Sequence, residues 1–340
     1  MIYCDLDKTQ IHRAAEFLND KEQCVAIVMH ANPDGDAVGS ALGFYDYLLK
    51  TGHLNVHVIA PNDYASFLKW MPRNQDVMVA EKDKALAEEL LREASLLFCL
   101  DFNGLSRTDL LEKSLSESEA CKIMIDHHPQ PEEGFDLVFS DIQASSTAEL
   151  VYEFIASLGD EALIGLEAAQ CFYAGIVTDT GSFSYGCNNP RTYEIVARLI
   201  EKGVDGAHLH RLIYNTYSID RMRLLGFCLS EKLQVINGHN TAYISLSARE
   251  LKRFNYQEGD TEGVVNYALA IEGIKIAALF TEKEDHVKAS FRSVGDVNVN
   301  ELAREHFHGG GHKNASGGKK YSELEDTVSF FVSLIQDKKY

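Results

Sequence analysis

Apolar, strand-like runs alternate with helical patterns over residues 1–215 of this 340-residue chain. The strand-like runs are CVAIVMH (24–30), NVHVIA (55–60), LLFCLDF (96–102) and KIMIDHH (122–128), and helical spacing appears around 39–50, 84–95 and 106–115. Such alternation is typical of a doubly wound, mainly parallel α/β sheet. This pattern restricts the fold more strongly than any other feature of the chain.

The remainder of the chain has a different pattern. Two alternating runs flank Asn237-Gly238, a strong hairpin signal, and a second hairpin is predicted over 274–293. An amphipathic helix follows at 324–336. Hairpins combined with helices indicate an α+β domain. We therefore predict an N-terminal α/β domain (1–215), a helical linker (216–233) and a smaller α+β domain (234–340), with a cleft between the domains.

Composition excludes several classes of function. The net charge of −19 opposes binding to long polyanions or anionic membranes, although a cleft can still bind a small phosphorylated ligand. The N-terminal sequence MIYCDLDKTQ lacks the regions of a signal peptide, and no charge-free stretch is long enough to cross a bilayer. Seven cysteines without a C-x-x-C pair favour neither disulfides nor a thiolate zinc site. A reducing cytoplasm is the predicted location.

Acidic residues and histidines follow three of the predicted strands. The first strand ends at His30 and is followed by Asp34 and Asp36 in HANPDGDAVGS, and the other two end at Asp101 and at Asp126-His127-His128. Carboxyl ends of parallel strands lie along one edge of a sheet, so these side chains should converge. Asp179, after an apolar helix, is a further candidate.

Each of these signals also has a structural interpretation. The D-G-D sequence is common in surface turns, and Asp101 or Asp179 alone could cap a helix. A calcium loop and a dinucleotide fingerprint both fail on glycine spacing. Four carboxylates in one place cannot all remain ionised without cations, and carboxylate-rich ligation with imidazole suits Mn²⁺ or Mg²⁺. A shared carboxylate would hold two ions about 3.5–4 Å apart.

The segment HGGGHKNASGG (308–318) has its own chemistry. Successive glycines can expose backbone N–H groups to an anion, and His312 and Lys313 add positive charge. A flexible tip, or a metal site formed by His306, His308 and His312, are the alternatives. Arg191 follows an N-cap and a first-turn proline, which suits either a phosphate site or a solvated arginine.

Taken together, HANPDGDAVGS, LDFN, IDHHP, GIVTDTGSF and GGGHKNASGG resemble the DHH phosphoesterase superfamily. The resemblance is strongest to short-oligoribonucleases and pAp phosphatases that carry a DHH-associated C-terminal domain. It implies one metal at His30, Asp34 and Asp101, and a second at Asp36, Asp101, His127 and Asp179. Asp101 would bridge the ions as a catalytic residue and His128 would contact the phosphate. The implied substrate-binding residues, besides His128, are Arg191, Arg292, Gly309, Gly310, Gly311, His312, Lys313 and Ser316.

The resemblance also implies an activity. The expected enzyme is a phosphoester hydrolase that uses two Mn²⁺ ions per chain, or Mg²⁺, to activate water. Its expected substrates are RNA of about two to five nucleotides and 3′-phosphoadenosine 5′-phosphate (pAp), with neither long duplexes nor membranes as partners. The alternatives are a phosphodiesterase for c-di-AMP or linear dinucleotides, polyphosphate hydrolysis as a weaker fit, and a non-catalytic nucleotide sensor. Oligomeric state is left open.

Overall fold

The computed structural model describes residues 6–337. The chain forms two compact units that divide between Thr216 and Tyr217. Residues 1–5 and 338–340 lie outside the described range. The structure therefore does not cover part of the segment predicted to lack a signal peptide, nor the outermost end of either predicted domain. The division into two domains and a linker at 216–233 stays a prediction. Among the described residues, no helix has the length and apolar character that crossing a bilayer requires.

The first unit contains a six-stranded sheet in which every strand pair is parallel. The strand order is β3-β2-β1-β4-β5-β6, which confirms the predicted doubly wound fold. The short strands β3 and β6 were not among the predicted runs. The strands are β1 (Val25–Met29), β2 (Val56–Ala60), β3 (Val77–Val79), β4 (Leu96–Leu100), β5 (Cys121–Asp126) and β6 (Leu137–Ser140).

Helices cover both faces of this sheet. Val25, Ile27 and Met29 of β1 belong to one apolar core, whereas Ala26 and Val28 belong to another. Because both faces are buried, the strand sequences are continuously apolar rather than alternating. The helices of this unit are α1 (Lys8–Phe17), α2 (Gly35–Lys50), α3 (Lys84–Glu93), α4 (Glu112–Glu117), α5 (Thr147–Ser157), α6 (Leu166–Asp179), α7 (Pro190–Glu201) and α8 (Gly206–Tyr214).

The strand order reverses between β1 and β4, and ligands of such sheets bind at this reversal. Met29 is in register with Leu100, and Leu100 with Ile125. The next residues, His30, Asp101 and Asp126, therefore stand side by side at the carboxyl edge. This register confirms that three distant segments converge there.

Close packing of α2 against α6 brings a further acid to this edge. A Cβ atom on Gly35 would lie 2.3 Å from the Thr178 side chain, and one on Gly39 would lie 2.5 Å from the carbonyl oxygen of Cys171. The four-residue glycine spacing, which fits no dinucleotide fingerprint, instead permits a close antiparallel helix contact. Asp179, at the end of α6, consequently lies beside the start of α2.

The second unit contains a mixed sheet of order β11-β12-β10-β9-β8-β7. Both predicted hairpins are present, and β8 pairs with β9 in parallel. The predicted helix near 218–233 is α9 followed by a π-helical turn (Cys228–Lys232). The elements are α9 (Ile219–Phe227), β7 (Gln234–Ile236), β8 (Thr241–Leu246), α10 (Ala248–Arg253), α11 (Val264–Leu269), β9 (Ile276–Glu282), β10 (Val287–Ser293), α12 (Val299–His306), β11 (Gly310–His312), β12 (Ala315–Lys320) and α13 (Leu324–Gln336).

The glycine-rich segment differs from the expected loop, because Gly310–His312 pairs with β12 as an edge strand. A Cβ atom on Gly309 would lie 1.9 Å from the carbonyl oxygen of Gly317, and one on Gly318 would lie 2.3 Å from that of Phe307. The glycines are therefore required by close backbone approach, a tertiary constraint that composition does not reveal.

Candidate metal centre

The carboxyl edge of the first sheet carries a buried cluster of acids and histidines. His30 Nε2 lies 3.4 Å from Asp101 Oδ2 and 3.9 Å from Asp34 Oδ1. His127 Nε2 lies 3.8 Å from Asp36 Oδ2, 3.9 Å from Asp101 Oδ1 and 3.4 Å from Asp179 Oδ2. All six residues that the sequence proposes as metal ligands thus meet at one place.

The backbone shows which of the candidate aspartates Asp34, Asp101 and Asp179 cap a helix N-terminus. Asp34 is the N-cap of α2, where its Oδ1 accepts from the amides of Asp36 and Ala37. Asp101 caps no helix and has a φ of +66°, a region that costs energy for a residue with a side chain. Asp179 is the last residue of α6, so it is no N-cap either. Capping therefore accounts for Asp34 alone.

The N-terminus of α5 fixes two of the acids. The amides of Thr147 and Ala148 donate to the two carboxylate oxygens of Asp36, at 2.6 and 2.9 Å. The Thr147 hydroxyl donates to Asp101 Oδ1 at 2.9 Å. A helix N-terminus stabilises negative charge, so Thr147 and α5 hold both carboxylates in place. Sequence reasoning missed Thr147, because SSTAEL also matches an ordinary helix start.

Electrostatic repulsion within the cluster is strong. Burial and the charges of Asp101 and Asp179 raise the pKa of Asp36 well above its ordinary value. Burial would also raise the pKa of Asp101, but its contact with His30 and the charge of His127 lower it. Within residues 6–337, neither Asp36 nor Asp101 forms an ion pair with a lysine or arginine. Histidines are thus their only ion-pair partners in the described chain.

The two proposed histidine ligands have fixed ring orientations. His30 Nδ1 lies 2.9 Å from the carbonyl oxygen of Ala31, and His127 Nδ1 lies 3.2 Å from that of Ala144. A carbonyl only accepts, so each Nδ1 must carry the proton. The Nε2 atom of each ring faces the carboxylates and would be the nitrogen that binds a metal.

This donor set fits divalent cations. Ligand atoms around one octahedral ion, each about 2.1 Å from it, are about 3 Å apart. The nitrogen and oxygen atoms here are separated by 3.4–3.9 Å, which approaches that spacing. Asp101 belongs both to a group with His30 and Asp34 and to a group with Asp36 and His127. Carboxylates and imidazoles without thiolates favour Mn²⁺ or Mg²⁺ over structural zinc.

His128 lies beside the cluster and is held by Asp126. Its Nδ1 lies 2.7 Å from Asp126 Oδ1, and its amide donates to Asp126 Oδ2 at 3.0 Å. Burial and the charge of Asp101 raise the pKa of Asp126 to about 7. Asp126, which was not proposed as a site residue, therefore fixes the ring of His128.

Arg191 lies in a second buried acidic cluster. Its Nε donates to Glu149 Oε1 at 2.6 Å and lies 3.4 Å from Glu153 Oε1, and its Nη1 donates to Asp141 Oδ2 at 3.0 Å. Burial would lower the pKa of Arg191, but the charges of Glu153 and Glu149 raise it. Glu149 belongs to the first turn of α5, so this cluster anchors the helix that holds Asp36. We therefore leave Arg191 out of the substrate site proposed below.

In the second unit, Arg292 and His312 share one face of the sheet. Both are in register with Ala315, Arg292 from β10 and His312 from β11, and directly opposed residues point to the same side. The Arg292 Nε atom is buried and has no hydrogen-bond partner within the described chain. Gly310 and Gly317 continue this face without side chains. It is a small basic surface suited to an anion.

The other proposed residues of this segment lie differently. Ser316 is in register with the buried Phe291 on the opposite face, and its hydroxyl donates to the carbonyl oxygen of His312 at 2.7 Å. Lys313 pairs with Asp296 at 3.3 Å. Asn300, which sequence reasoning missed, donates to the carbonyl oxygen of Gly311. In residues 6–337, His306, His308 and His312 do not gather as a metal-binding group.

The fold and this centre agree with comparisons to known proteins. Residues 24–176 match the DHH family, N-terminal domain, and residues 240–337 match the DHHA1 domain. A Streptococcus mutans protein named probable bifunctional oligoribonuclease and PAP phosphatase NrnA is 32% identical, over 92% of this chain and 95% of its own. The chain belongs to the DHH family, as its resemblance indicated.

Two further relatives of this chain have names that refer to other substrates. A crystal structure of an exopolyphosphatase-related protein from Bacteroides fragilis has a TM-score of 0.92 and 40% identity, covering 98% of both chains. A cyclic-di-AMP phosphodiesterase, GdpP, from Geobacillus thermodenitrificans is 28% identical over 88% of this chain but only 45% of its own. Both relatives have similar sequences, yet their names differ in substrate.

Proposed function

We propose that the protein is a metal-dependent phosphoesterase that hydrolyses very short RNA, of about two to five nucleotides, and pAp. The observation that carries this proposal is the buried cluster around Asp101, in which Asp36 and Asp101 lie within 4 Å of His30, His127 or His128 at the carboxyl edge of the sheet. The S. mutans protein is named for these two activities, and it is similar to this chain over nearly its whole length. This similarity supports the choice of substrate.

Two Mn²⁺ ions, or Mg²⁺, are the proposed cofactors, with His30, Asp34, Asp36, Asp101, His127 and Asp179 as ligands. Such ions supply Lewis-acid activation of water and of the phosphoryl oxygens. His128, held by Asp126, donates from its other ring nitrogen to a phosphoryl oxygen as negative charge develops. Thr147 and the start of α5 keep Asp101 and Asp36 in position throughout.

Arg292 and His312 are proposed to bind a terminal phosphate of the substrate. They share one sheet face, and the adjacent glycines leave room for a ribose or phosphate. The net charge of −19 disfavours association with long RNA. Preference for short substrates follows from one localised anion site rather than from a long groove.

The test is kcat/KM as a function of RNA length, measured with Mn²⁺ for 2-mers to 24-mers and for pAp. We expect the highest values at two to five nucleotides and a steep fall beyond. Arg292→Ala and His312→Ala should reduce hydrolysis of oligonucleotides far more than that of a small chromogenic diester. Lys288→Ala, on the same face of β10, is the matched control and should change neither. A flat length profile would contradict the proposal.

GdpP supports one alternative, hydrolysis of c-di-AMP, because it resembles this chain over both units. Including c-di-AMP in the same assay separates the two. A kcat/KM for c-di-AMP above that for pAp and the dinucleotides would replace the proposed substrates. A location in the cytoplasm, predicted from cysteine usage, stays a prediction.

A further inference from the structure

A pocket of 590 Å³ lies at the start of α7, in the unit that carries the metal centre. Its lining residues are Cys187, Asn188, Pro190, Tyr193, Glu194 and Ala197. The pocket is a shallow, open depression, and its lining is mostly apolar with a few polar groups. None of the residues assigned above to metal or phosphate lines it.

The Tyr193 ring forms one wall of the pocket and is rigidly held. It stacks on Phe183, with ring centroids 5.7 Å apart and planes inclined by 30°. Its hydroxyl contacts Cys187 Sγ at 3.4 Å. Although fixed from two sides, Tyr193 remains 49% exposed. A half-exposed ring in a fixed orientation is a preorganised stacking surface.

Two connections tie this pocket to the metal centre. Pro190 precedes Arg191, and Arg191 and Thr192 both hydrogen-bond to Glu149 in the first turn of α5. Phe183 follows the proposed ligand Asp179 by four residues, in a turn closed by the hydrogen bond from the Phe183 amide to Thr180 Oγ1. The residues around the pocket are therefore connected to the start of α5, which carries Thr147, and to the end of α6, which carries Asp179.

The chemistry of the lining selects among parts of a nucleotide. The Glu194 carboxylate disfavours a phosphate, whereas the aromatic ring, the proline and Ala197 suit a flat, uncharged group. Asn188 and Glu194 can accept hydrogen bonds from exocyclic amino groups. Bases of single-stranded nucleic acids bind proteins in this way, by stacking on aromatic rings.

We propose that this pocket binds a nucleobase of the substrate, with Tyr193 as the stacking residue. This inference rests on the proposed function and deepens it, because it adds a base-binding site to the metal and phosphate sites. It predicts that part of the affinity for RNA comes from stacking of one base on Tyr193.

The experiment compares kcat/KM for an adenine dinucleotide with kcat/KM for dinucleotides carrying an abasic residue at either position. In Tyr193→Ala, the ratio of kcat/KM for the intact dinucleotide to kcat/KM for one of the abasic forms should fall about 5- to 150-fold, which corresponds to the loss of one stacked base. Tyr193→Phe should restore it. Tyr267→Ala removes a tyrosine of equal exposure, 50%, from the second unit and should leave the ratio unchanged.

An unchanged ratio in folded Tyr193→Ala would overturn the inference while leaving the proposed function intact. If the wild-type protein hydrolyses no oligonucleotide at all, the proposed function fails, and calorimetric titration with adenosine 5′-monophosphate then decides on the pocket alone. Binding that weakens in Tyr193→Ala and recovers in Tyr193→Phe supports a base site. Absence of binding, or equal binding by all variants, contradicts it.

Discussion

Two buried acidic clusters lie on either side of the start of α5, and they are neutralised in different ways. Glu149, Glu153 and Asp141 surround Arg191, so this cluster contains its own cation. Asp36 and Asp101 are equally buried, yet their only ion-pair partners in residues 6–337 are histidines. Since buried charges require compensation, the Arg191 cluster is self-neutralised, whereas the Asp36–Asp101 cluster is the one proposed to bind cations.

The largest expected effect concerns Asp101, which belongs to both proposed metal groups. Asp101→Ala should reduce hydrolysis by more than about 10³-fold, together with the content of bound metal, because both sites lose a ligand. The metal-free variant should stay folded, since removing one carboxylate relieves repulsion on Asp36. Metal analysis and circular dichroism check this. Two bound metals with near-normal turnover would disprove the shared-ligand assignment.

Arg191 should behave in the opposite way. Arg191→Met leaves Glu149 and Glu153 buried without their cation, which should lower the free energy of unfolding by about 3–5 kcal/mol. Arg198→Met, at a half-exposed ion pair on the same helix, is the control and should cost less than about 1 kcal/mol. Urea denaturation measures both. Equal stability of the two variants would show that the Arg191 cluster is not self-neutralised.

His128 separates catalysis from metal binding. His128→Ala should retain bound metal but lose about 10²–10³ in kcat, since it removes a contact to developing negative charge. His127→Ala should instead lose metal, because its Nε2 faces Asp36, Asp101 and Asp179. Equal metal loss in both variants would mean that the two histidines have been assigned wrongly.

The smallest expected effect is at Thr147, which connects α5 to the metal ligands. Thr147→Val removes the hydroxyl that donates to Asp101 while keeping its shape, and should weaken Mn²⁺ binding about 10- to 100-fold. Thr147→Ser keeps the hydroxyl and should restore affinity. Calorimetric titration of the metal-free protein with Mn²⁺ measures the affinity. A fold defect would weaken binding in both variants, whereas loss of the hydroxyl should weaken it in Thr147→Val alone.

Much of the chemistry of the Asp36–Asp101 cluster, but little of that of the Arg191 cluster, could be predicted from sequence. Strand-end acids such as Asp101 converge because parallel strands share an edge, a rule that needs only local patterns. The partner of Arg191 is set by the packing of α5 against α7, which no local pattern encodes. The same limit applies to Thr147, whose backbone amide donates to Asp36, and to the glycine-rich segment, which pairs as strand β11 despite the low strand propensity of glycine.

Divalent cations are proposed to complete the Asp36–Asp101 cluster. Equilibrium dialysis of the wild-type protein against Mn²⁺, followed by elemental analysis of metal per chain, measures whether they do. We expect two Mn²⁺ per chain, and loss of bound Mn²⁺ in Asp101→Ala. Wild-type protein that retains no Mn²⁺, or the same amount as Asp101→Ala, would contradict the proposal.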